Sequence, residues 1–219
     1  MITRIITIDG PAGAGKTTVS KLLSQKLGCI YVDTGALYRG VAYEILNQKI
    51  NWEDEDILVT FLKKLDLNFV MGEKGLVLLS SGRDITPYIR TPEISMLASS
   101  SSAKPMVRAA LLDIQRNIAR VKDAVFEGRD MGTVVFPEAP HKFFLYADLN
   151  VRAKRRFDEM PEETKDLSRV QKDMETRDIN DSKRMSAPLK PAKDAVKINS
   201  SFLTVEEVVE KMLGNIEKA

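Results

Sequence analysis

The chain alternates short, continuously apolar runs with segments whose apolar residues recur every three or four positions. Ile5-Ile6-Thr7-Ile8, Ile30-Tyr31-Val32, Ala124-Val125-Phe126, Phe143-Phe144-Leu145-Tyr146 and Ala195-Val196-Lys197-Ile198 read as strands, the first spanning residues 3 to 8. Val19, Leu22, Leu23 and Leu27 mark a helix that Gly28 closes, and a second helix runs from Lys104 to Arg120. A C-terminal helix opens with the capping box Thr204-x-x-Glu207 and carries Val205, Val208, Val209, Met212, Leu213 and Ile216 as its apolar stripe. Strands apolar on both faces, separated by amphipathic helices, predict an α/β fold. Its parallel sheet has helices on both faces, and ligands bind beyond the carboxyl ends of the strands.

Two segments break the alternation. Leu65 to Ile85 reads as a small antiparallel three-strand insert, with turns at Gly72 to Gly75 and at Ser80-Ser81-Gly82. Arg152 to Arg184 carries ten basic and nine acidic residues in 33, which by composition alone describes a solvated helix pair. The spacing inside it adds a second reading. Arg177, Asp181 and Arg184 share one helix face, as do Arg152, Arg155 and Arg156, an arrangement suited to a helical lid over phosphates.

Composition mainly excludes. At 219 residues and 43% hydrophobic content the chain can bury one sizeable core. With 33 Lys and Arg against 31 Asp and Glu, the net charge of +2 gives no reason to expect nucleic acid or an anionic membrane as partner. One cysteine, Cys29, cannot form an internal disulfide, and no basic segment followed by a long apolar one opens the chain, so a cytoplasmic location is expected. No long apolar helix is left unassigned, which favours a monomer. Cys29 reads as core packing, the lone His141 as structural, and the lone Trp52 as a surface or hinge contact.

The chemistry is concentrated after the first strand. Gly10-Pro11-Ala12-Gly13-Ala14-Gly15-Lys16-Thr17, followed by Thr18, matches G-x-x-x-x-G-K-[ST] between a strand and a helix. Glycines let backbone N–H groups turn inward around a phosphate, Lys16 reaches the β- and γ-phosphoryl oxygens, the Thr17 hydroxyl suits magnesium, and the helix dipole faces the same anion. This is a phosphate-binding loop.

Further along stand Asp33-Thr34-Gly35-Ala36-Leu37-Tyr38-Arg39, Glu127-Gly128-Arg129-Asp130-Met131-Gly132-Thr133-Val134-Val135-Phe136-Pro137 and Arg177-Asp178-x-x-Asp181-x-x-Arg184. Together with the loop, and over the whole chain including the insert, they resemble the bacterial cytidylate kinases. The resemblance implies a P-loop nucleoside-monophosphate kinase fold: core 1–34, 120–150 and 185–219, a monophosphate-binding part 35–119, and a lid 151–184. It implies Mg2+-dependent transfer of the ATP γ-phosphoryl to CMP and dCMP. By the same resemblance Asp130 and Ser99 accept from the cytosine amino group and Arg108 donates to the ring. Arg39, Arg129 and Arg184 then hold the acceptor phosphate, Asp181 the ribose, and Thr34 and Tyr38 line the site. Lys16, Arg152, Arg156 and Arg177 neutralise the transferring group, and Thr17 holds magnesium with Glu127 reaching it through water.

Plainer readings stand beside these. Arg108 could decorate a helix surface, Ser99 to Ser102 has the composition of a linker, and Arg129 with Asp130 could be a strand-end ion pair. A kinase for UMP, AMP or a sugar-like alcohol is the rival enzyme. A nucleotide-dependent switch protein is disfavoured, because the chain has neither an Asn-Lys pair nor Asp-x-x-Gly.

Overall fold

The structure, a computed structural model, describes residues 4–73, 75–160, 162 and 165–217. Residue 3 of the expected first strand, residue 74 of the expected turn, lid residues 161, 163 and 164, and core residues 1–3 and 218–219 lie outside the described residues.

Five strands form a wholly parallel sheet in the order β2-β6-β1-β7-β8: β1 Ile5–Asp9, β2 Ile30–Asp33, β6 Ala124–Gly128, β7 His141–Tyr146 and β8 Val196–Asn199. These are the five apolar runs, each within a residue or two of its expected place. Helices α1 (Lys16–Leu27) and α8 (Val205–Ile216) cover one face, where Val19, Leu23, Val208, Val209 and Met212 pack on Ile6, Ile8, Phe143 and Leu145. Helix α5 (Pro105–Ala119) lies on the other, over Val32, Met131 and the Phe126 and Phe136 rings, whose centroids are 4.4 Å apart. Burial on both faces is why the strands are uniformly apolar rather than alternating. Gly28 takes the left-handed conformation after α1, and Thr204 and Glu207 form both hydrogen bonds of the capping box. Cys29 packs at the edge of the first cluster, and His141 opens β7.

A second apolar cluster belongs to the excursion between β2 and β6. Helices α2 (Gly35–Asn47) and α3 (Glu55–Lys64) and the antiparallel strands β3 (Leu67–Gly72), β4 (Gly75–Ser80) and β5 (Arg83–Asp84) bring together Leu37, Val41, Leu58, Phe61, Leu67 and Leu78, with α5 closing the cluster through Val107 and Leu111. Ser99 to Ser101 end a helix rather than a linker: α4 (Pro92–Ser101) is started by Thr91, whose hydroxyl accepts from Ile94 N, with proline at the first turn. Cap chemistry outweighed the serine-rich composition. The charged segment forms α6 (Leu149–Asp158) and α7 (Leu167–Lys183), joined by Ala153, Val170 and Met174.

The register decides what meets at the sheet edge. Asp9 stands opposite Gly128, and Asp33 opposite Glu127, so the ends of β1, β2 and β6 deliver three carboxylates, the phosphate loop and the Arg129-Asp130 pair to one place.

Candidate active site

The loop between β1 and α1 is built on backbone freedom. Gly10 has φ +152°, and a Cβ there would stand 1.9 Å from the Leu145 carbonyl oxygen, so only glycine fits. Lys16, at the first turn of α1, is buried and donates to Pro11 O at 2.8 Å. Burial, assisted by Arg129, pushes its ammonium down to about 7, with Glu127 and Asp9 pulling the other way. One turn of chemistry away, Thr17 Oγ1 donates to Glu127 Oε1 at 2.9 Å, and Tyr31 OH donates to Glu127 Oε2 at 2.6 Å. A hydroxyl and a fixed carboxylate are hard oxygen donors of the kind magnesium takes. Among the described residues no group of three or more His, Cys, Asp and Glu side chains is placed to hold a metal ion.

Facing the loop, side chains from five elements converge. Arg108 of α5 pairs with Asp130, just past β6, and its guanidinium lies 5.1 Å from the centroid of the Tyr38 ring of α2. Arg184, immediately after α7, approaches the same Asp130 at 3.9 Å and donates to Ser102 Oγ at 3.2 Å and Ala187 O at 2.7 Å. Asp181 accepts from Arg129 Nε at 2.8 Å and from Ser99 Oγ at 3.3 Å. Burial opposes the Asp181 charge, but Arg129, backed by Arg184 and Arg177, holds its carboxyl below the usual range. Thr34 Oγ1 donates to Glu127 O at 2.6 Å. Four arginines, 108, 129, 177 and 184, thus face two carboxylates, 130 and 181, which leaves an excess of positive charge.

That excess has open donors. Arg39 Nε, Arg177 Nε and Arg184 Nη2 are buried without a hydrogen-bond partner among the described residues. Buried guanidinium N–H groups are costly to leave unpaired, and three of them around one cleft describe a receptor for an anion that brings its own oxygens. Burial and the neighbouring Arg129 push Arg177 down to about 10.

The sequence profile of the cytidylate kinase family matches residues 6–218. The chain belongs to that family. A cytidylate kinase of Desulforamulus reducens is 44% identical over 217 residues, covering 98% of this chain and 97% of the relative, and one of Caldicellulosiruptor saccharolyticus is 43% identical over 210 residues, covering 95% and 93%. Among solved structures, shikimate kinase from Bacteroides thetaiotaomicron superposes with a TM-score of 0.51 at 15% identity, covering 98% of each chain, a likeness of fold.

Within this cytidylate kinase frame the three arginines expected on one face of α6 have separate partners. Each nitrogen of Arg152 has a partner in the protein: Nε donates to Ala147 O at 2.8 Å, Nη1 to Ala12 O at 3.0 Å and Nη2 to Asp178 Oδ2 at 2.6 Å. Arg155 donates to Ser200 O at 2.7 Å, and Arg156 pairs with Glu159 at 3.4 Å on the surface, within electrostatic reach of Arg177. Three residues escaped the sequence reading. Asp33 accepts from Arg39 and from Arg90, each at 2.7 Å, so Arg39 is aimed by a carboxylate six residues before it. Asp33 lay in a quoted motif without a role, and Arg90 stands in no motif. Asp9 was the other omission, and only the tertiary contacts reveal it.

Proposed function

We propose that this cytidylate kinase transfers the γ-phosphoryl group of ATP to CMP and dCMP. The observation that carries the reading is the trio of buried N–H groups on Arg39, Arg177 and Arg184 that have no hydrogen-bond partner among the described residues, around the Asp130–Asp181 cleft and across from the phosphate loop. The acceptor phosphate takes the donors of Arg39, Arg129 and Arg184. Asp130, acceptor-only when ionised, takes the exocyclic amino group of cytosine together with Ser99, Arg108 donates to the ring oxygen or N3, and Asp181 takes the ribose hydroxyls. Tyr38 and Thr34 form the wall of this pocket.

No side chain serves as nucleophile. An oxygen of the acceptor phosphate is already anionic, so the protein aligns it with the γ-phosphorus, excludes water and offsets the charge spread over the transferring group. Lys16 and Arg177 supply charge at that point, and Arg152 and Arg156 frame it from α6. Thr17, with Glu127 through water, would hold magnesium, which would offset phosphate charge. Core 1–34, 120–150 and 185–219, acceptor part 35–119 and lid 151–184 are the moving units, the last closing over the donor.

Steady-state rates with CMP, dCMP, UMP and AMP test this reading. Asp130→Asn offers a donor as well as an acceptor. It should lower kcat/KM for CMP and narrow the CMP-to-UMP ratio by about 1–3 kcal/mol, the worth of a good base contact. Arg108→Met should weaken both pyrimidines with less effect on their ratio. An unchanged ratio in Asp130→Asn places base selection elsewhere.

A further inference from the structure

Asp9 is the last residue of β1 and the residue before the phosphate loop, yet its side chain turns across the sheet to the acceptor side. It is buried, and its two carboxylate oxygens accept separate backbone N–H groups: Met131 N to Oδ1 and Gly132 N to Oδ2, both at 2.8 Å. Those N–H groups belong to the two residues directly after Asp130. They open a single wide helical turn, Met131–Val135, whose other end is held by Asp130 O accepting from Val134 N at 2.9 Å and Val135 N at 3.2 Å. The first N–H groups of any helix have no internal partner, and a five-residue turn is too short to hold its own place. On the Asp9 side of this turn there is no slack, because Thr7 stands on the same face of β1. A Cβ on Gly132 would lie 3.0 Å from Thr7 Oγ1 and 3.2 Å from the Lys142 side chain.

We propose that Asp9 is a positioning residue for base selection: by clamping the two peptides after Asp130, it fixes the carboxylate that faces the acceptor base. The proposal rests on the reading of Asp130 given above. It makes the strand that ends in the ATP-binding loop also the anchor of the acceptor pocket. Burial lifts the Asp9 carboxyl to about 6 against the pull of the same two N–H groups, so the site carries an electrostatic cost that a mere space-filler would not need. Asparagine at position 9 keeps one acceptor and turns an N–H2 group toward the second peptide N–H, which releases one side of the clamp.

The experiment measures kcat and KM for CMP and UMP at saturating ATP, and KM for ATP at saturating CMP, in the wild-type enzyme, Asp9→Asn, Gly132→Ala and Asp130→Asn. Asp9→Asn should raise KM for CMP more than KM for UMP, narrowing the kcat/KM ratio by about fivefold or more, what one lost hydrogen bond of about 1 kcal/mol is worth. Gly132→Ala, which pushes the same turn away from β1 and β7 without touching a carboxylate, should narrow the ratio in the same direction. It decides the question should Asp9→Asn fail to fold. An equal loss with both pyrimidines, or a loss confined to KM for ATP, in whichever of the two variants folds, overturns the proposal and leaves Asp9 a helix cap. If Asp130→Asn itself leaves the ratio unchanged, the base-reading assignment falls first. If Asp130→Asn narrows it and the other two do not, only the role of Asp9 falls.

Discussion

Lys16 must be charged to act, yet the free protein makes that charge expensive. Its ammonium is pushed down to about 7 by burial and by Arg129. The folded value lies below the unfolded one of 10.5, so between these the unfolded chain binds the extra proton. The contribution of this group to the stability of the free protein therefore rises with pH from about 7 to 10.5. Donor phosphates reverse the balance, because an anion beside the amine restores its proton. Titration calorimetry of Mg·ADP at pH 8 in two buffers of different ionisation enthalpy should show net proton uptake, and Lys16→Met should abolish it. Equal heats in the two buffers for the wild-type protein would reject the linkage. Lys16→Ala should fold and lose turnover by orders of magnitude, since a charge that stabilises the transferring group is gone. Arg177 makes the opposite point about stability. Its Nε is buried and unpaired and it lies among Arg129, Arg39 and Arg156, so Arg177→Met should hold or raise the melting temperature of the free enzyme while kcat falls steeply. A variant that melts well below wild type with kcat intact would show an ordinary structural arginine.

The elements divide by what they ask of neighbouring sequence. Five strands, α1, α5 and α8 were legible because their signals are local: apolar runs, three-to-four spacing, a glycine after Leu27 and a capping box at Thr204. The phosphate loop was legible for the same reason, eight consecutive residues between a strand and a helix. Helices α3 and α4 carried readable starts, Asp54 and Thr91-Pro92, that went unread. The pairings were out of reach, because Arg108 meets Asp130 across 22 residues and Arg129 meets Asp181 across 52, and no periodicity encodes a partner at that range. Arg152 shows what this hides. One of three arginines on a charged helix and expected to neutralise the transferring group, it also ties α6 to the phosphate loop at Ala12 and to α7 at Asp178. Arg152→Ala strips the partners from a buried cluster and should cost on the order of 3 kcal/mol. For a chain of this size that lowers the melting temperature by roughly 6–12 °C. Arg156→Ala, an exposed pair, should change stability by less than about 0.5 kcal/mol. Differential scanning calorimetry of the two variants checks the contrast, and similar melting temperatures for both would remove the tie.

Over the whole molecule a net charge of +2 conceals a cleft where arginines outnumber carboxylates, so the field acts where the elements meet and not over the surface. The apolar clusters place that cleft at a joint. One cluster fixes the sheet to α1 and α8, and a separate one fixes α2, α3, the three-stranded sheet and α5. The phosphate loop belongs to the first body, and Tyr38, Arg39 and Arg108 of the proposed acceptor site stand on elements of the second, so the two substrates should move different parts. Trp52, the only tryptophan, packs on the second cluster and lines a cavity of about 740 Å3 with Ile45, Leu46, Met96 and Leu97, between α2 and α4. Those helices carry Tyr38, Arg39 and Ser99. Drawing them onto one acceptor nucleotide changes their separation and hence the surroundings of the indole. Saturating CMP should therefore shift the intensity or wavelength of tryptophan emission, and a non-hydrolysable ATP analogue alone should change it much less. The Arg39→Ala variant, deprived of a phosphate contact on α2, should need more CMP for the same shift. If the analogue moves the signal as far as CMP does, the two bodies close as one on the donor, and the acceptor part has no movement of its own.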